Sequence, residues 1–154
     1  MNAAHLLLAL ALPLGQAAPA KAPEPAFHLL LPSVSYGAPL RTAASFAFFR
    51  SVSDPRQQLT EGPLVEAGIG QGGWRVSAGW VRFEEYVGLD LRAVVTRTFA
   101  APRAATPRAT YAGAEAGLTI AYVRVSAGVA HRLGGSGAKA TIFTWAGAVQ
   151  IPIK

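Results

Sequence analysis

The residues that could do chemistry are few. Beyond His5 near the start, histidine occurs only as His28 and His131. A serine hydrolase needs a serine, a histidine and an acid that converge on one point. Ser126 and His131 sit on opposite parities of one alternating segment, so their side chains diverge. Glu84 and Glu85 are adjacent in a turn-like stretch, where neighbouring side chains also diverge, and they read as a solvated turn rather than an acid–base pair. The chain has no cysteine, which excludes thiolate zinc sites, cysteine nucleophiles and disulfides. No glycine-rich loop leads from a strand into a helix. These residues predict no catalytic, cofactor-binding or metal-binding site.

What stands out instead is a set of charges embedded in apolar segments: Glu66, Arg75, Asp90, Arg92, Glu115 and Arg124. Their surroundings have period two. Val87, Leu89, Leu91, Ala93 and Val95 alternate with Gly88, Asp90, Arg92 and Val94. Ala112, Ala114, Ala116, Leu118 and Ile120 alternate with Gly113, Glu115, Gly117 and Thr119. Such alternation predicts strands with two unlike faces. Eight strands are expected, at about 27–35, 39–51, 63–70, 73–83, 86–99, 110–120, 122–133 and 139–151, with loops at 52–62 and 100–109. The fold class is all-β: an antiparallel up-and-down β-barrel of about eight strands.

A repeat runs through it. Glu66-Ala67-Gly68-Ile69 returns as Glu115-Ala116-Gly117-Leu118, and Arg75-Val76-Ser77-Ala78-Gly79 as Arg124-Val125-Ser126-Ala127-Gly128. The constant offset suggests a duplicated unit of three strands. The apolar face changes parity across each repeat hairpin, as a tight even-residue turn requires. A turn at Gly70-Gln71 would set Glu66 opposite Arg75, and the second copy would set Glu115 opposite Arg124.

Export is written at the N-terminus. Leu6 to Leu12 is an apolar run stopped by Pro13, and Ala18-Pro19-Ala20 has the small-x-small form of a signal-peptidase site. The expected organisation is a signal peptide over 1–20, a Pro-rich linker over 21–26 and a barrel over 27–154. The run is too short for a membrane-spanning helix, which needs ~20 residues, so any span must be a barrel. The net charge of +6 comes mostly from scattered arginines, which excludes a nucleic-acid-binding run and suits a polyanionic membrane surface.

Which face looks inward decides the environment. The polar face mixes glycine and serine with three acids and three arginines. A solvated sheet would not favour that glycine content, whereas a narrow lumen needs small residues beside paired charges. Trp74 and Trp80 share one apolar face and suit two aromatic girdles. Arg50, Arg82 and Arg97 lie on apolar-face parity near strand ends, where they can reach headgroups.

In the signal-like 1–20, the alternation and the Glu/Arg lumen, the chain resembles the small outer-membrane β-barrels of Gram-negative bacteria. The resemblance is one of architecture over 27–151. It implies a non-enzymatic envelope protein with a structural or loop-displaying role, located in the outer membrane. Its partners would be the lipid bilayer and anionic lipopolysaccharide. Two features depart from those proteins. The chain ends Gln150-Ile151-Pro152-Ile153-Lys154 rather than on an aromatic residue, and the loops 52–62 and 100–109 follow the second and fifth strands, an odd separation. The alternative is a soluble periplasmic barrel that binds a small apolar ligand in an interior of Val, Leu and Trp.

Overall fold

In a computed structural model, residues 27–54, 59–135, 137 and 139–153 are described. The expected signal peptide and linker lie outside them. The strands are β1 (Phe27–Ala38), β2 (Arg41–Asp54), β3 (Leu59–Gly70), β4 (Gly73–Glu84), β5 (Val87–Thr98), β6 (Thr110–Ile120), β7 (Val123–Gly134) and β8 (Thr141–Gln150). They form a closed antiparallel barrel in sequential up-and-down order. Closure is made by pairing Ser33–Ala38 of β1 with Trp145–Gln150 of β8. Beyond Pro152 the seam continues: Leu30 N–H donates to the Ile153 carbonyl at 3.0 Å, and Ile153 N–H donates back at 2.9 Å. A closed barrel leaves no open sheet edge, so backbone groups find partners around the whole ring.

Alternation fixes the two faces, and the apolar face is outside. Leu91 is 64% exposed while its neighbour Arg92 is 2% exposed. Phe46, Leu89, Val125, Val129, Phe143 and Val149, spread around the ring, are each more than half exposed. Ser33, Ser45, Ser77, Asp90, Glu115, Arg124, Ser126 and Thr144 are buried inside.

The tight turns differ from expectation in register. Gly70 pairs with Gly73, so the turn is Gln71-Gly72; Glu66 faces Ser77, and Arg75 faces Gly68. Ile120 pairs with Val123 around an Ala121-Tyr122 turn; Glu115 faces Gly128, and Arg124 faces Thr119. The slips are of two and four residues. An even slip leaves every side chain on its own face, so the faces hold although the pairings change. Tyr122, expected to open the seventh strand, is an exposed turn residue instead. Ala121 has φ 52°, a left-handed conformation that usually selects glycine or asparagine, so the sequence carries no signal for this turn.

The connections sort by barrel end. β2 runs to Asp54 and β3 starts at Leu59, so most of the expected loop 52–62 is strand. The termini end holds the ends of β2 and β3 and the two-residue turns 85–86 and 121–122. The loop end holds 39–40, 71–72, 99–109 and the β7–β8 connection, of which 135, 137, 139 and 140 are described. Both longer connections thus lie at the end opposite the strand termini at Phe27 and Gln150, and the odd loop separation disappears. The repeat hairpins β3–β4 and β6–β7 are three strands apart. An odd offset inverts direction, so their turns lie at opposite ends.

Two substitutions test the faces. Leu91→Ala leaves no cavity and should cost well under the ~2–5 kcal/mol of a buried leucine truncation. A side chain at Gly128 would meet the Ala114 backbone and the Cγ of Glu115, the latter 2.6 Å from an added Cβ. Gly128→Leu should cost at least ~1–3 kcal/mol. Unfolding titrations of the two variants should show this order, and the reverse order would turn the barrel inside out.

Candidate functional site

The six charges singled out in the sequence meet in the middle of the lumen. They come from five successive strands: Glu66 on β3, Arg75 on β4, Asp90 and Arg92 on β5, Glu115 on β6 and Arg124 on β7. Arg124 grips Asp90 with two donors, Nε to Oδ2 at 2.9 Å and Nη2 to Oδ1 at 2.8 Å. Arg92 donates through Nε to the same Oδ1 at 2.6 Å and through Nη1 to Glu66. Arg75 forms a second fork, Nη2 to Glu115 Oε2 at 3.1 Å and Nη1 to Oε1 at 3.4 Å. Three guanidinium groups therefore face three carboxylates, and the set is neutral. Forked pairs of this kind are the strongest and most directional that charged side chains make.

The pairing crosses the repeat. Glu115 of the second copy binds Arg75 of the first. Glu66 of the first copy binds Arg92, outside both motifs, with Arg75 and Arg124 close enough to act on it electrostatically. The expected pairs Glu66/Arg75 and Glu115/Arg124 are not made as opposed neighbours. The register places those residues diagonally, and long side chains reach across the lumen instead.

Glycines make room for them. A Cβ on Gly117 would strike the Asp90 carboxylate and lie 2.6 Å from Arg124 Nη2. The facing wall from β1, β2 and β8 is small and polar. Between that wall and the network lies a cavity with room for about one water, bordered by Ser33, Ser45, Glu66, Arg75, Arg124 and Gln150. Arg75 Nε is buried with no hydrogen-bond partner among the described residues, and a water in that cavity would satisfy it.

Both ends of the lumen are stoppered. At the termini end Leu31, Ala47, Phe49, Leu64 and Val81 form an apolar plug, joined by Leu29 and Phe83. At the loop end Ala109, Tyr111, Ala130 and Ile142 form a second. The expectation of a wholly polar inner face therefore fails at its ends. Parity carried the signal, because Leu64 shares a face with Glu66, and Val81 with Ser77.

Over the second plug folds the connection 99–109. Phe99 N–H donates to the Gly72 carbonyl at 2.8 Å and Arg103 N–H to the Pro39 carbonyl at 3.0 Å. Tyr111 Oη donates to the Lys139 carbonyl at 3.2 Å and accepts from Thr106 N–H at 3.0 Å. This one loop bonds to all three other connections at its end and covers the mouth.

The remaining expected positions lie on the outer wall. Trp74 and Trp80 both point outward, toward the loop end and the termini end of β4 respectively. Arg50 and Arg82 are exposed near the termini end. Arg97 lies at the loop end, half-buried, and donates to Thr110 Oγ1 at 3.0 Å. His131 faces outward against Thr141, and His28 stacks on Phe48 with ring centroids 5.4 Å apart. Ser126 faces inward, so it and His131 are on opposite sides of the wall. Comparisons with protein-family models, curated proteins and solved structures gave no match.

The network is testable by a double-mutant cycle on its second fork. Arg75→Ala or Glu115→Ala alone leaves one buried charge unpaired, at a cost of ~3–5 kcal/mol. The double variant should recover ~1–3 kcal/mol of the summed loss. Additive losses in equilibrium unfolding would mean that the two side chains do not share the fork.

Proposed function

We propose that this chain is a non-enzymatic integral membrane β-barrel of the outer membrane, exported and inserted with its apolar belt in the lipid. It is a closed body that supports the envelope and displays one folded end. The observation that carries the reading is the inversion of the usual arrangement: paired charges inside, large apolar side chains outside. A soluble monomer rarely exposes apolar surface on this scale, and a bilayer removes the penalty. The outward positions of Trp74 and Trp80, at different heights on one strand, suit aromatic girdles. Arg50, Arg82 and Arg97 near strand ends suit contact with headgroups.

The alternative reading, a soluble periplasmic barrel with an apolar ligand inside, needs Val, Leu and Trp in the lumen. In mid-barrel those residues face out, Val94 excepted, and guanidinium groups occupy the space. The ion network and the two plugs favour a structural barrel over a pore, because eight strands leave an interior that side chains fill. The partners that follow are the bilayer itself and the anionic lipopolysaccharide of its outer leaflet.

The first check is behaviour in detergent. The folded protein should need detergent for solubility and should migrate differently on a gel with and without boiling. Release by osmotic shock, with no heat-dependent mobility, would overturn the reading. A sharper check is Leu91→Arg. At bilayer mid-depth it should cost ~2–4 kcal/mol, whereas on a water-facing wall it should stay within about 0.5 kcal/mol. Folding titrations into vesicles measure the difference.

A further inference from the structure

The charges outside the lumen are segregated by end. The loop end carries Arg41, Arg97, Arg103, Arg108, Arg132 and Lys139, and among the described residues there it carries no Asp or Glu. At the termini end, Glu61, Glu84 and Glu85 outnumber Arg50 and Arg82 among the residues whose side chains are described. With the lumen neutral, the excess positive charge of the barrel sits at one end. Six cations gathered without a counter-charge repel one another and call for an anionic surface.

The fold brings three of the six to the loop end of the adjoining strands β8, β1 and β2. The Arg103 guanidinium lies over the rings of Tyr36 and Trp145, 5.4 and 5.5 Å from their centroids, and donates to the Tyr36 hydroxyl. Tyr36 and Trp145 are outward residues of β1 and β8, themselves packed edge to face at 6.1 Å. Arg41 stands across the β1–β2 ladder from Gly37, the residue after Tyr36. Lys139 Nζ donates to the carbonyl of Ala104, the residue after Arg103, at 3.2 Å. Arg103 is exposed, and a guanidinium has more donors than the tyrosine uses. Carbonyl, hydroxyl and ring contacts position Arg103 and Lys139 without neutralising them.

The position of the cluster specifies the anion. Its aromatic seat lies at the upper edge of the same outer wall that bears the apolar belt. A ligand that meets both must carry anionic groups above acyl chains. Arginine recognises phosphate oxygens in a fork, and an aromatic seat limits the freedom that Arg103 loses on binding.

Resting on the membrane reading above, we propose that Arg41, Arg103 and Lys139, on the Tyr36–Trp145 seat, form a binding site for the phosphate groups of an acylated lipid. The loop end then faces the leaflet that holds that lipid. The site sets the orientation of the barrel as well as its lipid partner.

The test uses the full chain in zwitterionic detergent micelles with fluorescent lipid A, a doubly phosphorylated acylated sugar. Anisotropy should show saturable binding, with none for labelled phosphatidylcholine. Arg41→Gln/Arg103→Gln/Lys139→Gln should weaken it about a hundredfold, at about fivefold per cation near an anionic surface. Arg50→Gln/Arg82→Gln, cations of the other end without the Tyr36–Trp145 seat, should weaken it far less than the loop-end change, and Arg103→Lys, which keeps the charge but not the fork, should fall between the wild type and the triple variant. Heat-dependent gel mobility reports separately whether each variant is still a folded barrel. A triple variant that loses that mobility is replaced by Arg41→Gln alone, which touches no loop hydrogen bond described above and should lose about fivefold. Equal weakening by changes at the two ends, or none from the loop-end changes, would overturn the site. Displacement by millimolar inorganic phosphate would reassign it to free phosphate and overturn the lipid. A wild-type chain that needs no detergent and shows no heat-dependent mobility would sink the membrane reading instead.

Discussion

Six charged side chains share a lumen that eight strands make too narrow for bulk water, and each must find its counter-charge there. That requirement governs much of the rest. It explains why five strands each supply at least one of the six, with β5 supplying both Asp90 and Arg92. It explains why the wall opposite them is built of serine and alanine, and why Gly117 and Gly128 stand where any side chain would strike the network. It also accounts for the outer surface. Once most polar residues are taken up inside, alternation leaves a mainly apolar outer face, with polar residues such as Arg50, Arg82 and His131 toward its ends.

A network of this kind is not a source of net stability by itself. Replacing a buried ion pair with apolar residues of the same volume is often neutral or better, while removing one partner is costly. Its structural value here is registry. A guanidinium that must reach one carboxylate across the lumen tolerates no slip of its strand, whereas the alanine-rich outer face, with Ala78, Ala93 and Ala114 side by side on adjacent strands, offers little to fix one. The plugs at either end then shield the charges from water, which strengthens each pair.

The architecture was legible in the sequence because it rests on a period of two over long stretches. Face assignment survived errors in register because every error was even. What could not be read were the pairings. Gly70-Gln71-Gly72-Gly73 admits more than one two-residue turn, and Ala121-Tyr122 is a turn without turn chemistry. Nor could the partners of Arg92 and Arg124 be read, since they join strands that are not hairpin neighbours and depend on side chains crossing the interior. The plugs were readable in principle by extending the parity of Glu66 back to Leu64. The role of Arg103 was not, because it depends on a loop folding back over Tyr36 and Trp145, residues far from it in sequence.

The central claim is that the outer face of this barrel meets hydrocarbon. All three tryptophans, Trp74, Trp80 and Trp145, lie on that face, so their fluorescence reports on it without any substitution. Folded into vesicles whose lipids carry bromine on the acyl chains, the protein should show strong quenching of tryptophan emission and little further quenching by aqueous acrylamide. Emission untouched by brominated chains and quenched by acrylamide would place those side chains in water and contradict the account.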